Sequence, residues 1–151
     1  VKIDYFFSNI INQSLDNQKR NNLLKEYGAI CSKKLDDQQL LIKETIKFIT
    51  SNCNYKNFHI ASGSDNNELN NLCLSLDIIS FFNSINGSPE AKKDIVKRII
   101  IENQYINKET CLIGDSINDY DAAIFNQIQF FGFNNKKLKK EKKGIYLDNI
   151  S

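Results

Sequence analysis

The residues best suited to chemistry lie together after an apolar run that ends at Gly114. Asp115 follows this glycine directly, and a second acid, Asp119, comes four residues later. An apolar run followed by Gly predicts a buried strand that gives way to a turn, so Asp115 lies at the carboxyl end of that strand. Open α/β sheets bind ligands at this end, and Mg2+ prefers a few carboxylates together with water and phosphate oxygens. The pattern therefore predicts a metal ligand at Asp115.

The same segment also fits a helix cap. Ser116 is followed three residues later by Asp119, and a hydroxyl and an acid at this spacing commonly begin a helix. Capping alone would account for both residues. It does not require a third polar group, so Asp115 keeps its functional interpretation.

A second candidate site follows an apolar run at 58–61, which we predict to be a strand. Ser62 then lies at the carboxyl end of this strand, and Gly63 allows the backbone to turn closely around a ligand. The next predicted helix has free N–H groups at its start, and these favour anions such as phosphate. The alternative is again capping, by Ser64 or by Asp65. This segment by itself does not establish a site.

Lys92 is the third candidate. Ser88 before Pro89 predicts a helix start, with Pro at the first helical position. Lys92 then falls in or just past the first turn, where the helix dipole disfavours a cation, and it shares the face of the apolar residues three, four, seven and eight positions later. A lysine directed inward there predicts an anionic partner. Taken alone, a snorkelling surface lysine is the simpler interpretation.

Together, the three candidates supply a hydroxyl, a cation and a carboxylate suited to a metal ion. These groups can hold a phosphoryl group beside Mg2+.

The elements that must position these residues alternate along the chain. Strands are predicted at 58–61, 110–113, 128–133 and 144–147. Helices are predicted at 4–12, 17–27, 35–50, 68–76, 90–103 and 117–125, with Gly28 ending the first helical region. The alternation predicts an α/β fold, with a Rossmann-like parallel sheet and helices on both of its faces.

Composition excludes several other classes. The chain has 151 residues, enough for one domain with a core, and its net charge of +2 includes +5 from Lys136 to Lys143. No aromatic residue or Arg interleaves with these lysines, so we interpret the segment as solvated surface and expect neither nucleic acid nor membrane as a partner. Four dispersed cysteines and a single histidine argue against a zinc site. Reduced thiols, with no apolar run long enough to span a bilayer and no visible signal peptide, predict a cytoplasmic protein.

The order of the three motifs resembles that of the haloacid dehalogenase (HAD) superfamily of phosphohydrolases. The resemblance implies that Ser62, Gly63 and Lys92 bind the transferring phosphoryl group. It implies that Asp115 binds Mg2+ and that Asp119 acts with Lys92 in catalysis, by orienting the lysine or the water around the metal.

The resemblance covers the chain from about Leu35 to the C-terminus and implies two domains. Residues 1–34 would be part of the small helical cap of phosphoglycolate-phosphatase-like members, and residues 35–151 the α/β core. The family's first motif, Asp-x-Asp, provides the nucleophile and the general acid/base, and no acid before residue 60 forms it. The strand that carries this motif is the family's central one. We therefore expect an N-terminally incomplete chain, which also begins at Val1 and contains no Met.

The leading hypothesis is a Mg2+-dependent phosphatase that acts on a small phosphorylated metabolite through an aspartyl-phosphate in the full-length parent, with this chain alone inactive. The alternative is a non-catalytic phosphate-binding or interaction module that has lost its nucleophile. A phospho-acceptor receiver domain is a third hypothesis. Its motifs run in the order acids, hydroxyl, lysine, which differs from the order found here.

Overall fold

A computed structural model describes residues 2–141 and 143–150 and divides the chain into two compact units. The first unit extends to Leu40, and the second begins at Leu41. None of the described helices is both long enough and apolar enough to cross a bilayer.

The first unit is helical. It contains α1 (Lys2–Phe6), a π-helical turn (Phe7–Ile11), α2 (Asn17–Leu35) and a 3-10 turn (Gln38–Leu40). Arg20 on α2 pairs with Asp4 on α1 at 2.6 Å from Nε to Oδ1. The prediction that Gly28 ends this region is wrong, because α2 continues through it to Leu35. One glycine costs a helix only about 1 kcal/mol, which the helix-forming residues around it offset.

The second unit alternates helices and strands, as predicted. Its helices are α3 (Lys43–Asn52), α4 (Asn66–Ser75), α5 (Lys92–Glu102), α6 (Ile117–Phe125) and α7 (Lys136–Lys140). Its strands are β1 (His59–Asp65), β2 (Ser84–Ser88), β3 (Cys111–Gly114), β4 (Gln129–Phe133) and β5 (Ile145–Leu147).

The strands form two parallel sheets, with the orders β1-β2 and β3-β4-β5. In the first sheet His59 lies opposite Ser84, and in the second Gly114 lies opposite Gly132. Among the residues that the structure describes, β1 has a ladder partner on one edge only, and so has β3. The predicted parallel α/β architecture is confirmed.

The core explains why helices lie on both faces. One buried cluster joins α5, α6, β4 and α7, and Ala61 of β1 packs against it. A second buried cluster lies at the end of α4, and Ile60 of β1 packs against that one. Successive strand residues point to opposite faces, so β1 is covered on both sides, as the sequence predicts.

Three elements differ from the sequence prediction. β2 was not predicted, because its sequence of Ser, Ile, Asn, Gly and Ser lacks the apolar pattern of a buried strand. The helix predicted from residue 35 begins at Lys43, because Asp37 forms a local turn in which its carboxylate accepts from the Gln39 N–H at 2.8 Å. The lysine-rich segment contains the short helix α7, which buried Leu138 anchors.

His59, the single histidine, is the first residue of β1, and its side chain contacts two hydroxyl groups. Its Nδ1 lies 2.7 Å from Ser84 Oγ and its Nε2 lies 2.9 Å from the Tyr105 hydroxyl. Burial lowers the pKa of this imidazole.

Candidate active site

The centre of the candidate site is a buried ion pair at the start of α6. Lys92 Nζ donates to Asp119 Oδ1, and the Asp119 residue is only 4% exposed. Asp119 Oδ2 accepts from the Ser116 backbone N–H at 3.0 Å and from the Ser116 hydroxyl at 2.7 Å. The Ser116 oxygen in turn accepts from the Asp119 N–H, which completes a capping box. Asp119 therefore caps the helix and also binds Lys92, so the two interpretations of this motif are compatible.

Lys92 reaches this carboxylate because it is the first residue of α5 and lies on the helix's buried side. Ile95 and Val96, three and four residues further on, are both buried. The lysine side chain is 20% exposed, and its ammonium lies against a buried carboxylate, which excludes the snorkelling interpretation.

The helix start predicted at Pro89 is wrong, since α5 begins at Lys92 with Ala91 as its N-cap. The segment before α5 is held by contacts with the Arg98 side chain. Arg98 Nη2 donates to Glu90 Oε2 at 2.7 Å and to Asn86 Oδ1 at 3.1 Å. The hydrogen bond from Arg98 to Glu90 holds the pKa of the Glu90 carboxyl below its ordinary value. Arg98 thus ties the segment ahead of Lys92 to β2.

Gly114 allows the carboxylate of Asp119 to lie against the end of β3. A Cβ at this position would stand 2.4 Å from both Cβ and Cγ of Asp119, closer than any real contact. The glycine predicted as a turn signal is therefore required by packing.

Asp115 lies directly after β3, and the residue is exposed. Its backbone oxygen accepts from Asn135 Nδ2 at 2.6 Å. Within the described residues, no group of three or more His, Cys, Asp or Glu side chains could hold a metal ion. Lys92 and Ser116 already occupy the Asp119 carboxylate. Of the two predicted carboxylates, Asp115 is thus the one that stays exposed, and a single carboxylate fits Mg2+ only with phosphate oxygens, water or further carboxylates to complete the shell.

The Ser62 turn is part of an irregular strand. β1 continues to Asp65, beyond the predicted end at residue 61, and its register with β2 shifts between Ala61 and Asp65. Ser62 Oγ accepts from the Ser64 N–H at 3.2 Å. A Cβ at Gly63 would meet no atom within 4 Å, so this turn borders open space.

The start of α4, which follows this turn, was predicted to bind an anion through its N–H groups. A carboxylate of the same chain already accepts from these groups. Asp65 Oδ1 accepts from the N–H groups of Asn67 at 2.9 Å and Glu68 at 3.1 Å. The capping alternative is therefore confirmed for Asp65. The prediction that these N–H groups are free to bind an anion is therefore wrong.

Sequence reasoning missed the contact that joins the Ser62 turn to β2. A Cβ on Gly87 would lie 2.5 Å from the Ser64 carbonyl oxygen and 2.9 Å from the Asn66 nitrogen. The Gly87 N–H also donates to Asn66 Oδ1 at 2.8 Å. The only sequence signal for this approach was the glycine before Ser88 and Pro89. Because Lys92 follows a few residues later, the contact restricts the path of the chain from the turn to the lysine.

Comparison with known proteins shows the family of the chain. The family model for haloacid dehalogenase-like hydrolases matches residues 3–133. The chain therefore belongs to the haloacid dehalogenase-like hydrolase family, as the order of its motifs predicts. No curated protein matches it.

Solved structures share the fold at low identity. A haloacid dehalogenase-like hydrolase from Streptococcus pneumoniae is 19% identical with a TM-score of 0.61, covering 67% of this chain and 51% of its own. A HAD-superfamily hydrolase from Ehrlichia chaffeensis is 18% identical with a TM-score of 0.60, covering 71% and 52%. A candidate phosphatase from Clostridium difficile is 14% identical with a TM-score of 0.73, covering 97% and 73%. The chain thus spans about half the length of the first two proteins.

Proposed function

We propose that the protein is a Mg2+-dependent phosphomonoesterase that acts on a small phosphorylated metabolite. The observation that carries the proposal is the pair of Lys92 and buried Asp119, which lies on the helix that begins two residues after the exposed Asp115 at the end of β3. A cation held beside a carboxylate at a strand end is suited to a phosphoryl group with its metal ion.

In this proposal Lys92 binds the phosphoryl oxygens and Asp119 sets its position. An ammonium group has three donors, so the bond to Asp119 leaves two for the substrate. Ser116 fixes the other carboxylate oxygen, which prevents Asp119 from turning away. Asp119 is therefore a positioning residue that acts through Lys92.

In the same proposal Ser62 and Gly63 bind the phosphoryl group together with Lys92. The Ser62 oxygen accepts from the Ser64 N–H, so its own proton is available to a phosphoryl oxygen. Gly63 borders open space, where a ligand meets no side chain. Asp115 would hold Mg2+, which neutralises charge on the phosphoryl group when bound.

The nucleophile is proposed to lie on a further segment of the same protein. Members of the family use an Asp-x-Asp motif at the end of the central strand. The first Asp attacks phosphorus and forms an aspartyl-phosphate, while the second protonates the leaving oxygen and then activates water. The edges of β1 and β3 that lack a ladder partner among the described residues can accept such a strand. The chain of 151 residues alone should not turn over.

Residues 1–34 are proposed to be part of the family's helical cap, the element that selects the substrate. A cytoplasmic location remains part of the proposal and rests on the four dispersed cysteines, which are free in the structure.

Phosphate release by the protein expressed from its natural reading frame tests the proposal. A panel of sugar phosphates and short phospho-acids is assayed with and without Mg2+, using Asp115→Asn and the 151-residue chain for comparison. Release that requires Mg2+ and falls at least about 100-fold in Asp115→Asn supports the proposal. Turnover by the 151-residue chain that depends on Asp115 would refute its stated inactivity.

A non-catalytic phosphate-binding module is the second candidate, favoured by the lack of an Asp-x-Asp motif before residue 60 of this sequence. It predicts that the protein from the natural reading frame binds inorganic phosphate with Mg2+ but releases none from any member of the panel.

A further inference from the structure

Asn135 joins two parts of the second unit that are far apart in sequence. It follows β4 and is the N-cap of α7, where its Oδ1 accepts from the Lys137 N–H at 3.0 Å. Its Nδ2 donates to the backbone oxygen of Asp115 at 2.6 Å. One side chain therefore caps a helix and binds the turn that presents the candidate metal ligand.

The backbone before Asn135 is built for this contact. Asn134 has a φ of 56°, a left-handed conformation that Asn tolerates better than most residues. It turns the chain sharply at the end of β4, and Asn135 itself is extended, with φ −144° and ψ 99°. The half-buried Asn135 side chain can thus reach Asp115 and the first turn of α7 together.

We propose that Asn135 is a positioning residue for the Asp115 carboxylate. The proposal rests on the proposed function, in which Asp115 binds a divalent cation. The exposed Asp115 side chain has little packing to orient it, so its direction depends on the backbone at residue 115. The hydrogen bond to the Asp115 carbonyl fixes that backbone, while the capping box fixes the adjacent Ser116. Asn135 thus restricts the Asp115 carboxylate before a cation binds, so that less conformational entropy is lost on binding.

Two substitutions separate this role from capping. Asn135→Ser retains a capping oxygen but is too short to reach Asp115, whereas Asn135→Ala loses both functions. If Asn135 is only a cap, Asn135→Ser should behave as the wild type. If it also positions Asp115, both variants should bind the cation about 10-fold more weakly, the lower end of the range for residues that orient metal ligands.

The experiment titrates Mn2+ alone, followed by electron paramagnetic resonance, into the protein from its natural reading frame. The proteins are the wild type, the two Asn135 variants and Asp115→Asn. Weaker binding in Asn135→Ser, at an unchanged melting temperature, supports the proposal. Unchanged binding in Asn135→Ser with weaker binding in Asp115→Asn overturns it and leaves the proposed function intact. Unchanged binding in Asp115→Asn overturns the metal site itself, and this inference with it.

Amide hydrogen exchange gives a readout that does not involve the metal. In Asn135→Ser the Ser116 N–H should exchange faster, while the capped Lys137 N–H should keep its protection. Equal protection at Ser116 in variant and wild type would contradict the proposal. Should Asn135→Ser not fold, Asn135→Thr, which also caps, takes its place in both experiments.

Discussion

Replacing Lys92 with Met should destabilise the second unit substantially, because it leaves the Asp119 carboxylate buried without its cation. Breaking a buried ion pair by removing one partner costs about 3–5 kcal/mol. Lys92 is 20% exposed, and both Ser116 hydrogen bonds to Asp119 remain, so we expect the lower end, about 3 kcal/mol. Asp119→Asn keeps an oxygen for capping and lets Lys92 turn to water, so it should cost less, about 1.5 kcal/mol.

Urea unfolding at pH 7, followed by circular dichroism, measures these changes for both single variants and for the double variant. The free energy of interaction between the two positions should be about 1.5–2.5 kcal/mol in favour of the pair. Lys97→Met, an exposed position on the same helix, is the matched control and should stay within about 0.5 kcal/mol of the wild type. The account of a buried pair is wrong if Lys92→Met costs no more than Lys97→Met.

Two further predictions follow from the same structure. Gly114→Ala should cost about 1–3 kcal/mol in unfolding free energy, because its Cβ would stand 2.4 Å from Asp119 Cγ. Gly63→Ala, whose Cβ would meet nothing within 4 Å, should leave the unfolding free energy nearly unchanged. Burial lowers the pKa of His59 below its ordinary value of about 6.5, so the unfolded chain takes up this proton first as the pH falls. The free energy of unfolding should therefore decrease below about pH 6.5 in the wild type, more than in His59→Gln.

Each of these two predictions has its own contradicting result. Both alanine variants are measured by urea unfolding. Equal losses of stability would mean that the close approach of Asp119 to residue 114 does not require a glycine there. For His59, stability is measured from pH 5 to pH 8, and the difference between wild type and variant is compared. A difference that is constant over this range would show that burial of the imidazole has no effect on its protonation. Because the chain has a single histidine, no other imidazole can produce the change.

Local signals carried the successful part of the sequence prediction. The helix at 117–125 begins and ends as predicted, because Ser116 and Asp119 form the capping box that their spacing indicated. The parallel α/β architecture followed from the alternation of apolar runs with helical patterns. The capping box joins residues three positions apart, and the alternation is a pattern of neighbouring residues, so a single sequence shows both signals directly.

What the sequence did not reveal depends on contacts between distant residues. Lys92 was expected to meet an anion, but its contact with Asp119, 27 positions away, is set by the packing of α5 against α6. Asn135 gave no signal at all, since an Asn after a strand is usual in turns and its partner lies 20 positions earlier. β2 was missed because it pairs with β1, which lies about 25 positions earlier, and because Ile85 is its single large apolar residue.

The most direct test of the central claim is the rate of phosphate release by the protein from its natural reading frame, compared between wild type, Lys92→Met and Lys97→Met at a temperature where all three are folded. The proposed site predicts that Lys92→Met lowers the rate by at least about 100-fold, since a cation at the transferring phosphoryl group is lost, and that Lys97→Met retains the wild-type rate. Equal rates in Lys92→Met and wild type, or no release by any of the three, would contradict it.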